Sequence, residues 1–108
     1  MLDKIRVNTL LDYYGVLLTE RQQELCRYYY REDYSLQEIA EIEGISRSAV
    51  HDTVKKCEAE LLHYEELLRC IQAAEARKLV YSQMAKDPSA AQYLNNLLES
   101  ELIGGNYE

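Results

Sequence analysis

The stretch from Ser35 to Lys56, SLQEIAEIEGISRSAVHDTVKK, leaves this chain few folds to choose from. Ser35 stands three residues ahead of Glu38, the spacing of a capping box, so a helix is expected to start at Leu36. Ile39, Ala40 and Ile42 supply its apolar positions, and Gly44 ends it where a positive φ costs least. Ile45 anchors the turn, Ser46 caps the next helix, and Val50 and Val54 lie one turn apart on one face. Small Ala40 lets two helices cross closely, and a turn of about three to four residues containing Gly is what a helix-turn-helix requires. An αα-hairpin serving only as scaffold would share this shape. The second helix offers Arg47, Ser48, His51 and Lys55 outward, side chains of the kind that read base edges and hold phosphates. With Ser46 and Lys56 they form the candidate nucleic-acid-binding set.

From Ser46 onward there is no Gly or Pro until Pro88. Val50, Val54, Cys57, Leu61, Tyr64, Leu68 and Ile71 alternate steps of four and three, an a/d seam over about three heptads. The spacing predicts that the second helix runs on past Lys56 to the mid-70s. Leu62 and Leu67 widen the stripe beyond a pure coiled-coil seam. Such a helix can pack against the chain's own first and last helices, or its distal half can pair with a second protomer. The second arrangement makes Leu61, Tyr64, Leu68 and Ile71 a candidate homodimer interface.

The flanks are helical too. Leu2, Ile5, Leu10, Tyr14 and Leu17 recur at helical spacings, predicting a first helix over residues 2–18, with Gly15 weakening its last turn. Thr19 and Gln22 make a second capping box, and a helix from Glu20 to Tyr30 should turn Leu25, Cys26 and Tyr29 inward, with Tyr28 the next candidate. Tyr28, Tyr29 and Tyr30 are consecutive, so they cannot all face one way. Exposed, one could stack on a ligand; at a helix junction it is more simply an amphipathic ring with a wet hydroxyl. Asp87-Pro88 marks a new start, with Asp87 capping and Pro88 at the first helical position. Tyr93, Leu94, Leu97, Leu98 and Leu102 give the last helix an apolar face. The expected whole is one all-α domain over 1–108. Its helix-turn-helix core covers about 19–64, a helical extension about 65–103, and a flexible tail 104–108.

Charge limits what the exposed face can do. The formal net charge is −7, and residues 20–45 set three basic side chains against seven acidic ones. Phosphate neutralisation supplies most non-specific affinity for nucleic acid, and dedicated DNA-binding domains carry a basic footprint for it. Here the only surplus near the motif is on residues 46–56, three basic against Asp52. Cys26, Cys57 and Cys70 are odd in number and form no CxxC, which fits reduced thiols in the cytoplasm rather than a disulfide frame. Some of Cys57, His63 and Cys70 could share a helix face, but no second cluster completes a metal site. Glu58 with Glu60, and Glu65-Glu66, read as solvated-face charges without a catalytic task. No phosphate-binding glycine loop, nucleophile elbow or cofactor motif occurs, so neither an enzyme nor a cofactor is expected. No apolar run is long enough to span a membrane, and no signal-peptide core opens the chain.

LTERQQELCRYYYREDYSLQEIAEIEGISRSAV resembles region 4 of sigma factors, where an LT-x-R-Q opening leads into S-L-x-E-I-A-E and G-I-S-R. The preceding N-T-L-L-D-Y-Y-G-x-L-L-T and the following V-x-D-T-V-K-K-C-E resemble the YlxM-like family of bacterial helix-turn-helix proteins. Together these segments cover about residues 5–70. The resemblance implies an all-α fold encoded beside signal recognition particle components, and an accessory or regulatory role in that pathway rather than promoter recognition. It implies the particle's protein, its receptor or its RNA as partners; a dimeric DNA-binding regulator is the alternative. Two positions depart from the sigma pattern. Glu43 precedes the turn glycine where an apolar residue is common, leaving Ile42 to take over its packing, and Asp52 would meet phosphate unfavourably.

Overall fold

The computed structural model describes residues 2–104. All regular structure among these residues is helical, and the chain packs as two compact units, one through Ile71 and one from Gln72 on. The first unit carries the motif.

Helix α1 (Lys4–Tyr14) is capped by Asp3, whose carboxylate accepts the Ile5 N–H at 3.3 Å. It is shorter than the expected 2–18 span. A 3-10 turn, Gly15–Leu17, closes it, and Leu18 is extended. Within α1 the buried stripe is Val7, Leu10 and Tyr14, which leaves Ile5 exposed, and beyond the turn Leu18 is buried while Leu17 is exposed.

Helix α2 (Glu20–Cys26) starts at the Thr19–Gln22 capping box, which is present in both directions. It also stops early, because Arg27–Arg31 forms a π-turn in which Glu32 N–H reaches back to the Arg27 carbonyl. The wider turn changes which tyrosine goes in. Tyr30 is the fully buried ring, Tyr28 and Tyr29 pack half-buried against the core, and the Tyr30 carbonyl accepts from the Asn8 amide at 3.1 Å. Tyr29 sits edge-on to Tyr30 under the Lys4 ammonium, and Tyr28 stacks on Tyr34 with Arg27 above it. All three rings are thus spent on packing.

Helices α3 (Leu36–Glu43) and α4 (Arg47–Leu68) are the expected pair. Ser35 and Glu38 make the capping box, and backbone and hydroxyl donors from Ser35 hold the Glu38 carboxyl below its ordinary range. Ile39, Ala40, Val50, Val54, Cys57 and Leu61 are buried with Leu10, Tyr14 and Leu25 in one core. Each large apolar side chain buried this way contributes about 1.5–3 kcal/mol. Cys26 and Cys57, both free thiols, are completely buried in that core; Cys70 is exposed. The neighbouring Cys57 thiol, and then burial, push the Cys26 thiol up, so it behaves as a small apolar side chain.

α4 does not run to the mid-70s. It ends at Leu68, Arg69 takes a left-handed conformation (φ 54°, ψ 30°), and α5 (Cys70–Met84) begins at once. Three hydrogen bonds hold the break. The Tyr14 hydroxyl donates to Glu65 Oε1 at 2.5 Å and accepts the Cys70 N–H at 3.0 Å, while Glu65 Oε1 also accepts the Ile71 N–H at 3.0 Å. The first free N–H groups of α5 are satisfied by side chains from α1 and α4. Desolvation, and then the Glu65 carboxylate, push the Tyr14 hydroxyl up to about 12, so it remains a donor.

The second unit contains most of α5 and α6 (Pro88–Gly104). Asp87 accepts from the Ser89 N–H at 2.9 Å and its hydroxyl at 2.8 Å, capping α6 as its spacing predicts. Ala74 and Leu94 are buried, and Tyr81 donates to Glu101 at 2.6 Å with Arg77 beside the same carboxylate. Tyr93, Leu97 and Leu98, expected on an apolar face, are exposed. Gly104 belongs to α6 rather than to a tail. The remainder of the expected 104–108 tail, residues 105–108, and the Leu102 side chain lie outside the described residues.

Candidate nucleic-acid interface

The turn between α3 and α4 is built from three residues with separate tasks. Gly44 (φ 67°) ends α3 with its N–H on the Ala40 carbonyl, and the Ile45 N–H follows onto the same carbonyl at 3.1 Å. Ile45 packs against the core. The Ser46 hydroxyl accepts the Ala49 N–H at 3.0 Å, and its carbonyl accepts from Val50 at 3.1 Å. Ser46 is exposed but committed to this cap.

An ion pair that the apolar pattern did not disclose locks the motif from behind. Glu43, immediately before Gly44, turns inward with its side chain only 11% exposed, and Arg21 of α2 donates to it. Ile42 does not take over the packing at this corner; it is 54% exposed. A carboxylate is tolerated where an apolar residue is common because the guanidinium neutralises it. The only hint in the sequence is Arg21 itself, inside the LT-x-R-Q opening.

Along α4, Val50, Val54, Cys57 and Leu61 define the buried line, and successive residues advance by about 100°. Ser48, Asp52 and Lys55 therefore point most directly outward. Arg47 and His51 flank them on one side, and Lys56 on the other. Arg47, Ser48, Lys55 and Lys56 are exposed, and His51 is half-buried with Nδ1 3.5 Å from the Asp52 carboxylate. Asp52, 82% exposed, lies in the middle of the face, so the acidic departure is not hidden.

Four basic side chains of the first unit are ion-paired. Lys4 pairs with Asp33, Arg21 with Glu43, Arg27 with Glu32 and Arg31 with Asp12. Among the described residues, Arg47, Lys55 and Lys56 have no acidic partner within 4 Å; Arg6 and Arg69 share that state singly, but the first half of α4 gathers three such cations on one helix.

The four residues of the candidate dimer seam separate. Leu61 and Ile71 are buried in the first unit's core, Tyr64 is half-buried against Tyr14, and Leu68 is 55% exposed. Only Tyr64 and Leu68 have surface to give a partner. The acids read as solvated charges also divide. Glu58 is 4% exposed and accepts the Tyr30 hydroxyl, Glu60 accepts from Gln22 at 3.2 Å, and Glu65 caps α5. Their partners lie 28, 38 and 51 residues away, beyond any local pattern. Among the described residues no group of three His, Cys, Asp or Glu side chains is placed to hold a metal, and no helix is long and apolar enough to cross a membrane.

A family model described as "Putative helix-turn-helix protein, YlxM / p13 like" matches residues 1–101. A UPF0122 protein of Halalkalibacterium halodurans is 45% identical over 104 residues, covering 93% of this chain and 95% of that relative. One of Shouchella clausii is 40% identical over 103 residues, covering 92% and 94%. One of Symbiobacterium thermophilum reaches 56% over 68 residues, spanning 63% of this chain and 64% of its own length.

Proposed function

We propose that this chain, which belongs to the YlxM/p13-like family of helix-turn-helix proteins, is a cytoplasmic regulatory protein that binds nucleic acid through the first half of α4. The observation that carries the reading is the set of unpaired cations there. Among the described residues Arg47, Lys55 and Lys56 are exposed, have no acidic partner within 4 Å and lie together on one helix, whereas Lys4, Arg21, Arg27 and Arg31 are each ion-paired. In this reading Arg47, Ser48, His51 and Lys55 meet bases and backbone, Lys56 meets the far phosphate rim, and Ser46 positions the helix. No catalytic step is assigned.

The finer setting rests on the resemblance: an accessory role in the signal recognition particle pathway, with the particle's RNA, its protein or their receptor as partner. A chain of net charge −7 gains little from non-specific phosphate contact, which favours one defined target over wide sampling of a genome. A second reading, a dimeric DNA-binding regulator, is favoured by the intact Gly44–Ser46 turn. It would use Tyr64 and Leu68 at the seam and two half-sites about one helical turn, roughly 34 Å, apart. A gel shift at about 50 mM salt, with random duplex DNA and with the particle's RNA, tests the binding term directly. Retardation of the RNA, or co-migration with the particle protein or receptor and a change in their GTP turnover, supports the accessory role. Failure of both sinks it. No retardation of duplex DNA even with excess protein sinks the regulator reading.

A further inference from the structure

The end of α4 is set by a long-range contact, not by a helix-breaking residue. No Gly or Pro lies between Gly44 and Pro88, and the a/d register of Leu61, Tyr64, Leu68 and Ile71 passes through the break undisturbed. Arg69 nevertheless sits at φ 54°, a conformation that any L side chain other than Asn or Asp resists. What holds it there is Tyr14, 2% exposed on α1. Its hydroxyl bridges the Glu65 carboxylate and the Cys70 N–H, and Glu65 takes the Ile71 N–H. The Arg69 N–H still makes its helical bond to the Glu65 carbonyl at 2.8 Å, so the helix is intact up to the last residue before the break. In an unbroken helix the Cys70 and Ile71 N–H groups would bond instead to the carbonyls of Glu66 and Leu67. The same two donors thus have two alternative sets of acceptors, one side-chain and one backbone. The side-chain set carries the cost of a left-handed arginine.

We infer that the junction is a two-state latch: closed by Tyr14 and Glu65 it ends α4 at Leu68, and released it lets α4 continue through Arg69 into α5 as one helix. The local sequence favours the continuous form, because residues 66–75 are good helix formers without a breaker. Tertiary packing of Tyr14 favours the closed one. Release would withdraw Ile71 from the first unit's core and align it with Tyr64 and Leu68 on one stripe, which couples the latch to self-association; that consequence alone rests on the dimer reading.

The test is NMR on the full chain with Tyr14→Phe, which keeps the buried ring and removes the hydroxyl. The expected result is an unbroken series of Hα(i)–HN(i+3) contacts from Glu66 to Gln72, absent in the unsubstituted protein. Adding Arg69→Gly, which removes the left-handed penalty, should restore the break. Glu65→Ala, which removes the other acceptor, should give the same series should Tyr14→Phe fail to fold. A break that persists at Arg69 in Tyr14→Phe, or in Glu65→Ala where that is the folded variant, overturns the latch. Sedimentation separates the two readings. A continuous helix without self-association supports the latch and overturns the dimer, whereas a continuous helix with at least a tenfold gain in association supports both.

Discussion

The Tyr30 hydroxyl donates to the Glu58 carboxylate inside the core, joining the π-turn after α2 to the middle of α4 across 28 residues of sequence. Burial, then the Glu58 carboxylate, push the Tyr30 hydroxyl far up, so the donor is kept. Glu58 is 4% exposed, and a buried acceptor stripped of its donor is costly. Tyr30→Phe should therefore destabilise by about 2–4 kcal/mol although it removes one oxygen atom. Glu58→Gln keeps an acceptor for the hydroxyl and should cost about 1 kcal/mol. Urea unfolding of the two variants checks the order; a Tyr30→Phe variant as stable as Glu58→Gln would show that the pair is not what secures this contact.

Arg21 and Glu43 set a second test, on the corner of the motif itself. With Glu43 11% exposed and Arg21 48% exposed, Arg21→Ala leaves a nearly buried carboxylate without its counter-charge. The expected loss is about 1–2 kcal/mol, discounted for the solvent that reaches the guanidinium. Glu43→Leu removes the charge and fills the same corner, so Arg21→Ala in that background should cost under about 0.5 kcal/mol. A thermal-unfolding double-mutant cycle reads the coupling directly, and additive losses would mean that Arg21 acts through something other than Glu43.

The tyrosines predict an alkaline limit. Tyr14 and Tyr30 both titrate higher in the folded chain than the ordinary value of 10.0, Tyr14 at about 12. The folded state then holds these protons more tightly than the unfolded state, so the stabilisation is complete below pH 10 and is lost as pH rises from 10 toward 12 and beyond. The urea midpoint should fall over that window, and more shallowly in Tyr14→Phe and Tyr30→Phe than in the unsubstituted protein. Equal slopes in all three would remove the two hydroxyls from the account.

What the sequence disclosed follows from how far each signal had to reach. The Thr19–Gln22 and Ser35–Glu38 boxes, the Gly44 stop and the Ser46 and Asp87 caps are each complete within four residues, and each stands where its spacing put it. The π-turn gave no such signal: it adds a residue to one turn and buries Tyr30, whose hydroxyl partner Glu58 lies 28 residues away. The end of α4 was hidden for the same reason, since Tyr14 is 51 residues from Glu65. Acidic residues were the least legible. Glu43, Glu58 and Glu65 look like surface charge and are held by Arg21, Tyr30 and Tyr14. The exposure of Arg47, Ser48 and Lys55 is legible because it depends on one helix alone, whereas Leu61 and Ile71 of the seam are covered by partners a heptad count does not see.

The proposed interface and the core beneath it can be separated by two substitutions three residues apart. Arg47 is exposed and makes no ion pair among the described residues, so Arg47→Ala should change stability by less than about 0.5 kcal/mol. If α4 binds nucleic acid as proposed, the same change should abolish retardation at about 50 mM salt, and Lys55→Ala should lower the salt dependence by about one phosphate contact. Val50 is completely buried, and Val50→Asp places an unpaired charge among Ile39, Val54 and Leu25, costing more than about 4 kcal/mol and unfolding the unit. Circular dichroism and the gel shift on the same samples distinguish the two effects. A large stability loss in Arg47→Ala would make its role structural, and unchanged retardation would move the binding surface off the first half of α4.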